Sequence, residues 1–260
     1  MKTIKKVLVT LVLMAFAFNI SIAQEKEAKE EKKSTMLSLH TDNVNFSMLQ
    51  EYERLAKELK ENCEKHNIQG INWTTVSIED GRYIYVTPIK NMAELDNNPM
   101  SAIFEKMGKE AAGKLFDDMD KCYDSHSNSI THHIPELSHM PEGFSKEGKN
   151  HREYHFLYYA PKNGKAMYEA MKKVKEAFAE KGIKNGYDVY HSGFGDEESY
   201  FLVSVPATDS VESAQNGKSN NTALGEDGNA ALFEVIKLAM KYDQIEGRIR
   251  PDLSYYPKSN

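Results

Sequence analysis

The sequence predicts an α+β chain made of two tandem βαββαβ repeats packed sheet to sheet. Three observations carry that prediction. The segment Pro135-Glu136-Leu137-Ser138-His139-Met140-Pro141 recurs as Pro251-Asp252-Leu253-Ser254-Tyr255-Tyr256-Pro257, with Pro, acid, Leu, Ser and Pro in register at an offset of 116 residues. Each copy of that segment closes the same order of strand, helix, hairpin, helix and strand. Each copy also ends a stretch of roughly 105 residues, an ordinary size for a small single-core unit.

At the N-terminus, Lys2, Lys5 and Lys6 precede an apolar run from Val7 to Phe18, and Ser21-Ile22-Ala23 ahead of Gln24 has the small-x-small pattern of a cleavage site. Residues 1–23 are expected to be a secretory signal peptide, because the run falls short of the roughly 20 apolar residues that span a bilayer. The mature chain is then expected in a periplasm or outside the cell, with no membrane span after cleavage. Residues 24–34, almost all charged, read as a tether. Repeat one is expected over residues 35–141, a linker over 142–150 and repeat two over 151–257.

Within repeat one, Thr35 to Thr41 alternates with a period of two and reads as a strand. Phe46, Leu49, Tyr52, Leu55, Ala56, Leu59 and Cys63 follow the three-and-four spacing of an amphipathic helix that ends before Gly70. Trp73 to Ile78 and Arg82 to Thr87 are β-branched and aromatic, and Asp80-Gly81 between them supplies turn chemistry. Pro99 to Tyr123 reads as a second helix and Ile130 to Ile134 as a last strand. Repeat two follows suit: strand Glu153 to Tyr159, helix Lys165 to Lys181, hairpin Tyr187 to Gly193 and Ser199 to Val205, helix Asn229 to Tyr242, strand Gly247 to Arg250. Residues 207–228, polar and rich in Gly and Asn, read as a long loop.

That order is the split βαβ unit of ferredoxin-like domains, whose helices cover one sheet face and leave the other to be buried. A tandem copy is the nearest available cover, which gives a fused α/β barrel. On this element order and duplication the chain resembles, over residues 35–257, the dimeric α/β-barrel superfamily, which includes antibiotic-biosynthesis-type monooxygenases, NIPSNAP proteins and chlorite-dismutase-like haem proteins. The resemblance implies two sheets facing each other across a cavity. It carries no catalytic motif of any member family, so it implies no activity. A fused barrel of this kind is expected to be a monomer with an internal pseudo-dimer.

Composition excludes some functions. Without the three lysines of the expected signal peptide, 30 basic residues face 39 acidic ones, a net charge of −9. With no basic stripe, nucleic acid is not an expected partner. The serine-hydrolase elbow, the phosphate-binding Gly-Lys loop, His-Glu-x-x-His and Cys-x-x-Cys are all absent. Cys63 and Cys122 fall near the ends of two different predicted helices and are expected as buried free thiols. His132, His133 and His139 look like metal ligands, but adjacent strand residues point to opposite faces, so no metal site is expected there.

The candidate site residues come from the strand faces. With Leu37 and Leu39 assigned to the helix side, Met36, Ser38 and His40 are expected to face the cavity. Their counterparts at an offset of 115 are His151, Glu153 and His155, so His40 and His155 match. Trp73, the sole tryptophan, near the position of His191 in the other half, is expected either to floor an aromatic pocket or to be core. The expected ligand-binding set is thus His40, His155, Glu153, Trp73 and His191, with no cofactor identified. The leading functional expectation is a secreted or periplasmic small-molecule-binding barrel without turnover. One alternative is a cofactor-free monooxygenase or haem-handling enzyme using a barrel His. Another is a structural or interaction protein of the cell envelope.

Overall fold

A computed structural model describes residues 34–97 and 100–258. The expected signal peptide and the tether up to Lys33 lie outside the described residues. The strands are β1 (Thr35–Val44), β2 (Thr74–Ile78), β3 (Arg82–Ile89), β4 (Tyr123–His133), β5 (His151–Tyr158), β6 (Asp188–Ser192), β7 (Tyr200–Ala207) and β8 (Lys241–Ile249). The helices are α1 (Leu49–His66), α2 (Met100–Met107), α3 (Lys109–Asp120), α4 (Gly164–Glu180) and α5 (Ser210–Leu238). The strands close a barrel in the order β1-β3-β2-β8-β5-β7-β6-β4, with every ladder antiparallel. Two ladders, β2 with β8 and β4 with β6, join the copies. The fold is the fused α/β barrel of two ferredoxin-like repeats that the sequence predicts.

The hairpin turn between β2 and β3 needs its glycine. Gly81 has φ +94, and a Cβ there would meet the Val44 carbonyl oxygen at 2.9 Å. Where one helix was expected from Pro99 to Tyr123, Gly108 at φ +88 separates α2 from α3. The expected loop at 207–228 is largely the first half of α5. Asp209 caps it, its carboxylate accepting from the Glu212 N–H at 2.8 Å. Packing then overrides weak intrinsic propensity: Ser213, Leu224 and Gly228 are buried on the inward side of an otherwise polar helix. Gly225, with φ 65 and ψ −162, kinks it midway.

The duplicated motif is a reciprocal clasp. Ser138 Oγ donates to the Ile134 carbonyl and accepts from the Val189 N–H at 2.9 Å, reaching β6 of the other copy. Ser254 Oγ donates to the Arg250 carbonyl and accepts from the Thr75 N–H at 2.8 Å, reaching β2 in return. His139 Nε2 lies 2.9 Å from the Ile183 carbonyl oxygen, and the Tyr255 hydroxyl donates to that of Ile68 at the same distance. Leu253 is thereby buried in the core of repeat one and Leu137 in the core of repeat two. Each copy's tail completes its neighbour.

Two cores lie between the barrel wall and the helices. In repeat one, Tyr52, Cys63, Ile103 and Ala112 are completely buried and Trp73 packs among them. Cys63 and Cys122 are free thiols in that core, and burial pushes the Cys63 thiol up to about 12. In repeat two, Met167, Leu137, Val189 and Leu224 are completely buried. Among the described residues, no helix is long and apolar enough to cross a membrane.

Candidate functional site

The expected facing of β1 is inverted. Leu37 and Leu39 line the barrel lumen with Val76, Ile78, Ile84 and Val86, while His40 lies on the outer, helix-covered face near Tyr85. Alternation says which residues share a face but not which face turns inward. The same inversion applies to β5: Arg152, Tyr154 and Phe156 line the lumen, and Glu153 and His155 lie outside. The five expected site residues therefore do not meet.

Trp73 is 6% exposed, its indole N–H donates to the Leu253 carbonyl at 2.9 Å, and its backbone bridges to Tyr255. It is core rather than a pocket floor. His191, on the outer face of β6, lies 2.6 Å from the Tyr159 hydroxyl with its ring against Phe201. Burial, and then His132 nearby, lower its pKa. His40 Nδ1 lies 2.9 Å from Asn128 Oδ1 and Nε2 lies 3.0 Å from Asp42 Oδ1. The Asp42 carboxylate raises the imidazole pKa against the effect of burial.

Glu153 and His155 do belong together. They frame the polar end of a cavity of about 410 Å³ between the outer face of the repeat-two sheet and helices α4 and α5. Its walls are apolar: Leu157, Val203 and Val205 from the sheet, Met171, Val174 and Phe178 from α4, and Leu232, Val235 and Ile236 from the second half of α5. The space exists because the first half of α5 presents Ser213, Gly217, Asn220 and Asn221 at helical spacing, small or short side chains that do not fill it. Glu153 Oε2 accepts from the Ser213 hydroxyl at 2.7 Å, and Oε1 accepts from Gln244 Nε2 at 2.7 Å. His155 Nε2 lies 3.2 Å from Glu153 Oε1, and Nδ1 lies 2.7 Å from the Tyr242 hydroxyl. The His155 bond, and then that from Ser213, hold the Glu153 carboxyl down at about 2 against the effect of burial. Tyr242, Gln244 and Ser213 were missed by the sequence reading, since they come from elements it assigned to a helix end, to no element and to a loop.

The lumen is a second cavity, of about 220 Å³, lined by aliphatic side chains and by a group of charged and phenolic ones. The linker inserts Lys146, whose ammonium donates to Asp188 Oδ2 at 2.5 Å, while His133 Nε2 lies 3.1 Å from Oδ1. Burial opposes ionisation, but His133 and Lys146 together hold the Asp188 carboxyl below its ordinary range. Arg152, its pKa lowered by burial, and the Tyr154 and Tyr190 phenols, both raised by burial, face the same space. His132 and His133 point to opposite faces, as expected: Thr131 lines the lumen and His133 reaches lumen-facing Asp188, while His132 lies beside Gly193.

No protein-family model matches the chain, and no curated protein matches it either. Solved structures do. The chain superposes on an anthrone oxidase-like protein with a TM-score of 0.55 at 9% identity, covering 84% of this chain and 92% of that one. It superposes on a candidate monooxygenase from Lactobacillus acidophilus NCFM with a TM-score of 0.51 at 10% identity, covering 86% and 96%. A chlorite dismutase variant from Candidatus Nitrospira defluvii gives 0.48 at 9% identity, covering 88% and 95%. With the eight-strand closure, the first two likenesses show that the chain has a closed α/β-barrel fold.

Proposed function

We propose that this is an exported small-molecule-binding protein whose ligand lies between the repeat-two sheet and helices α4 and α5. The observation that carries the reading is the cavity itself: about 410 Å³, apolar on its walls and polar at one end, where Ser213, Glu153, His155 and Tyr242 are joined by hydrogen bonds. That volume and lining are those of a small-ligand site. The fitting ligand is a compact, largely apolar aromatic molecule with one hydrogen-bonding group. Tyr242 stands on His155 Nδ1, at the place such a group would approach.

A second reading follows from the His155–Glu153 pair, which has the form of an oriented base. In it an acidic ligand displaces the Tyr242 hydroxyl and gives its proton to His155 Nδ1, a role compatible with cofactor-free oxidation and with the names of the anthrone oxidase-like and monooxygenase neighbours. Haem fits less well. Among the described residues, no Lys or Arg lines the cavity to meet a dianionic porphyrin.

Titration with the apolar fluorophore Nile red tests the site. A Cβ on Gly217, which lines the cavity, meets nothing within 4 Å, so Gly217→Leu is the substitution chosen to fill the cavity mouth. It is expected to weaken probe binding at least tenfold with no fall in melting temperature. Equal binding by variant and parent would sink the proposal. Export predicts a mature N-terminus at Gln24, read by intact-mass spectrometry of protein recovered after secretion.

A further inference from the structure

The polar cluster on the outer face of repeat one is separate from that cavity. His40 and Asp42 are two residues apart on β1 and so share a face. In the antiparallel β1–β4 ladder, Asp42 pairs with His126 and His40 pairs with Asn128. Strand alternation and strand pairing together bring one ring nitrogen from each histidine and one Asp42 carboxylate oxygen within 4.8 Å of one another.

The remaining polar atoms of the first two side chains are already held. His40 Nδ1 meets the Asn128 amide oxygen at 2.9 Å, and because an amide oxygen accepts, Nδ1 carries the proton and Nε2 presents its lone pair. Asp42 Oδ2 accepts from the Tyr52 hydroxyl at 2.5 Å, and that hydroxyl lies 2.9 Å from the Tyr85 hydroxyl. What is left over is Asp42 Oδ1. It belongs to a residue 3% exposed, and it has no donor unless His40 Nε2, 3.0 Å away, also carries a proton. A buried carboxylate oxygen without a donor is costly, and two acceptors facing each other are costlier. A second proton on the imidazole or a cation between the two groups removes both penalties.

We propose that His40, Asp42 and His126 bind one first-row divalent transition-metal ion of the Zn²⁺ type. The ligands are Nε2 of His40, Oδ1 of Asp42 and a ring nitrogen of His126, with the remaining positions open to water or a small ligand. Two imidazoles and one carboxylate favour such an ion over Mg²⁺ or Ca²⁺, which take oxygen ligands. Ligands about 2.0–2.2 Å from an ion stand roughly 3–4 Å apart, so the set has to contract only slightly from its present spacing of up to 4.8 Å, and His126 is exposed. Asn128 and Tyr52 are positioning residues: each orients a ligand through the atom that does not face the ion.

Untagged full chain, stripped with chelator and dialysed, is titrated with Zn²⁺ by calorimetry and with Co²⁺ by visible absorbance. One equivalent of each is expected to bind, with Co²⁺ developing ligand-field bands and millimolar Mg²⁺ failing to compete. His126→Ala, at an exposed position, is expected to abolish the bands and lower affinity at least a hundredfold while leaving the metal-free melting temperature in place. Asn128→Ala is expected to cost about tenfold. His66→Ala, at the end of α1, is expected to change nothing. Absence of stoichiometric binding by the parent chain overturns the proposal, and so does unchanged affinity in His126→Ala.

Discussion

The two repeats carry the same elements in the same order and use their faces in opposite ways. In repeat one the lumen side is mainly aliphatic, with Leu37, Leu39, Ile84 and Val86 beside Thr74, Arg82 and Thr131, and the helix side is filled by Tyr52, Leu55, Cys63 and Ile103. In repeat two the lumen side carries Arg152, Tyr154, Asp188 and Tyr190, and the helix side encloses a cavity. The difference arises from a few side chains. Leu115 and Met119 of α3 fill the space above one sheet. Gly217, Asn220 and Asn221 of α5 leave it open above the other. Duplication gives two copies of a scaffold, and helix-face side-chain volume decides which copy packs solid and which keeps a chamber.

Separating the copies is the severest test of their interdependence. Residues 34–141 and 150–258 expressed apart are each expected to aggregate, dimerise or stay partly unfolded. Each would lose the partner's buried leucine and expose its lumen face, and at about 25 cal/mol per Å² even a few hundred Å² of apolar surface rivals the stability of a small domain. Two monodisperse monomers in sedimentation, each melting cooperatively, would break the comparison. The full chain is expected to sediment as a monomer.

A like-for-like truncation sharpens it. Leu253, 1% exposed, lies in the filled core, and Leu137, 0% exposed, forms part of the cavity wall. Leu253→Ala is expected to cost about 3–5 kcal/mol in chemical denaturation. Leu137→Ala is expected to cost less, about 2–3 kcal/mol, because a side chain bordering a void has fewer contacts to lose. Equal costs would mean that the cavity collapses in solution.

The smallest expected effect is a pH dependence confined to repeat two. The Glu153 carboxyl is held at about 2, below its usual 4.5, so its contribution is present above pH 4.5 and lost as pH falls toward 2. The stability difference between parent and Glu153→Gln is expected to shrink by about 1–2 kcal/mol over that interval, after allowance for solvent screening. A difference constant across that range, in denaturation curves at each pH, would show that the His155 bond does not persist in solution.

The repeated Pro-acid-Leu-Ser segment made the architecture legible from the sequence, because a serine that clasps backbone and a leucine that plugs a core have few substitutes. Element order was legible from periodicity. The inward face was not, since alternation groups Leu37 with Leu39 and Ser38 with His40 but does not say which group turns to the lumen. The stretch 207–228 read as a loop because its composition is polar and its helical register rests on contacts with α4. His155 and Glu153 were legible as neighbours two apart on a strand. Asp42 and His126 were not, although His40-x-Asp42 and His126-x-Asn128 stand in the sequence. Only the pairing register of β1 with β4 brings those dipeptide patterns together.

The closure of the ring has a consequence for how this chain fails. Open sheets end in strands whose free N–H and C=O groups recruit further strands, and such ends are where fibrils and swapped assemblies begin. Here β1 and β6 flank β4 while β2 and β5 flank β8, so each strand has a neighbour on both sides. Templated growth must therefore wait for a seam to open. The shortest seams are the two three-residue ladders, Val76 to Ile78 on β8 and Thr131 to His133 on β6, which makes the junctions between copies the points from which misassembly would start.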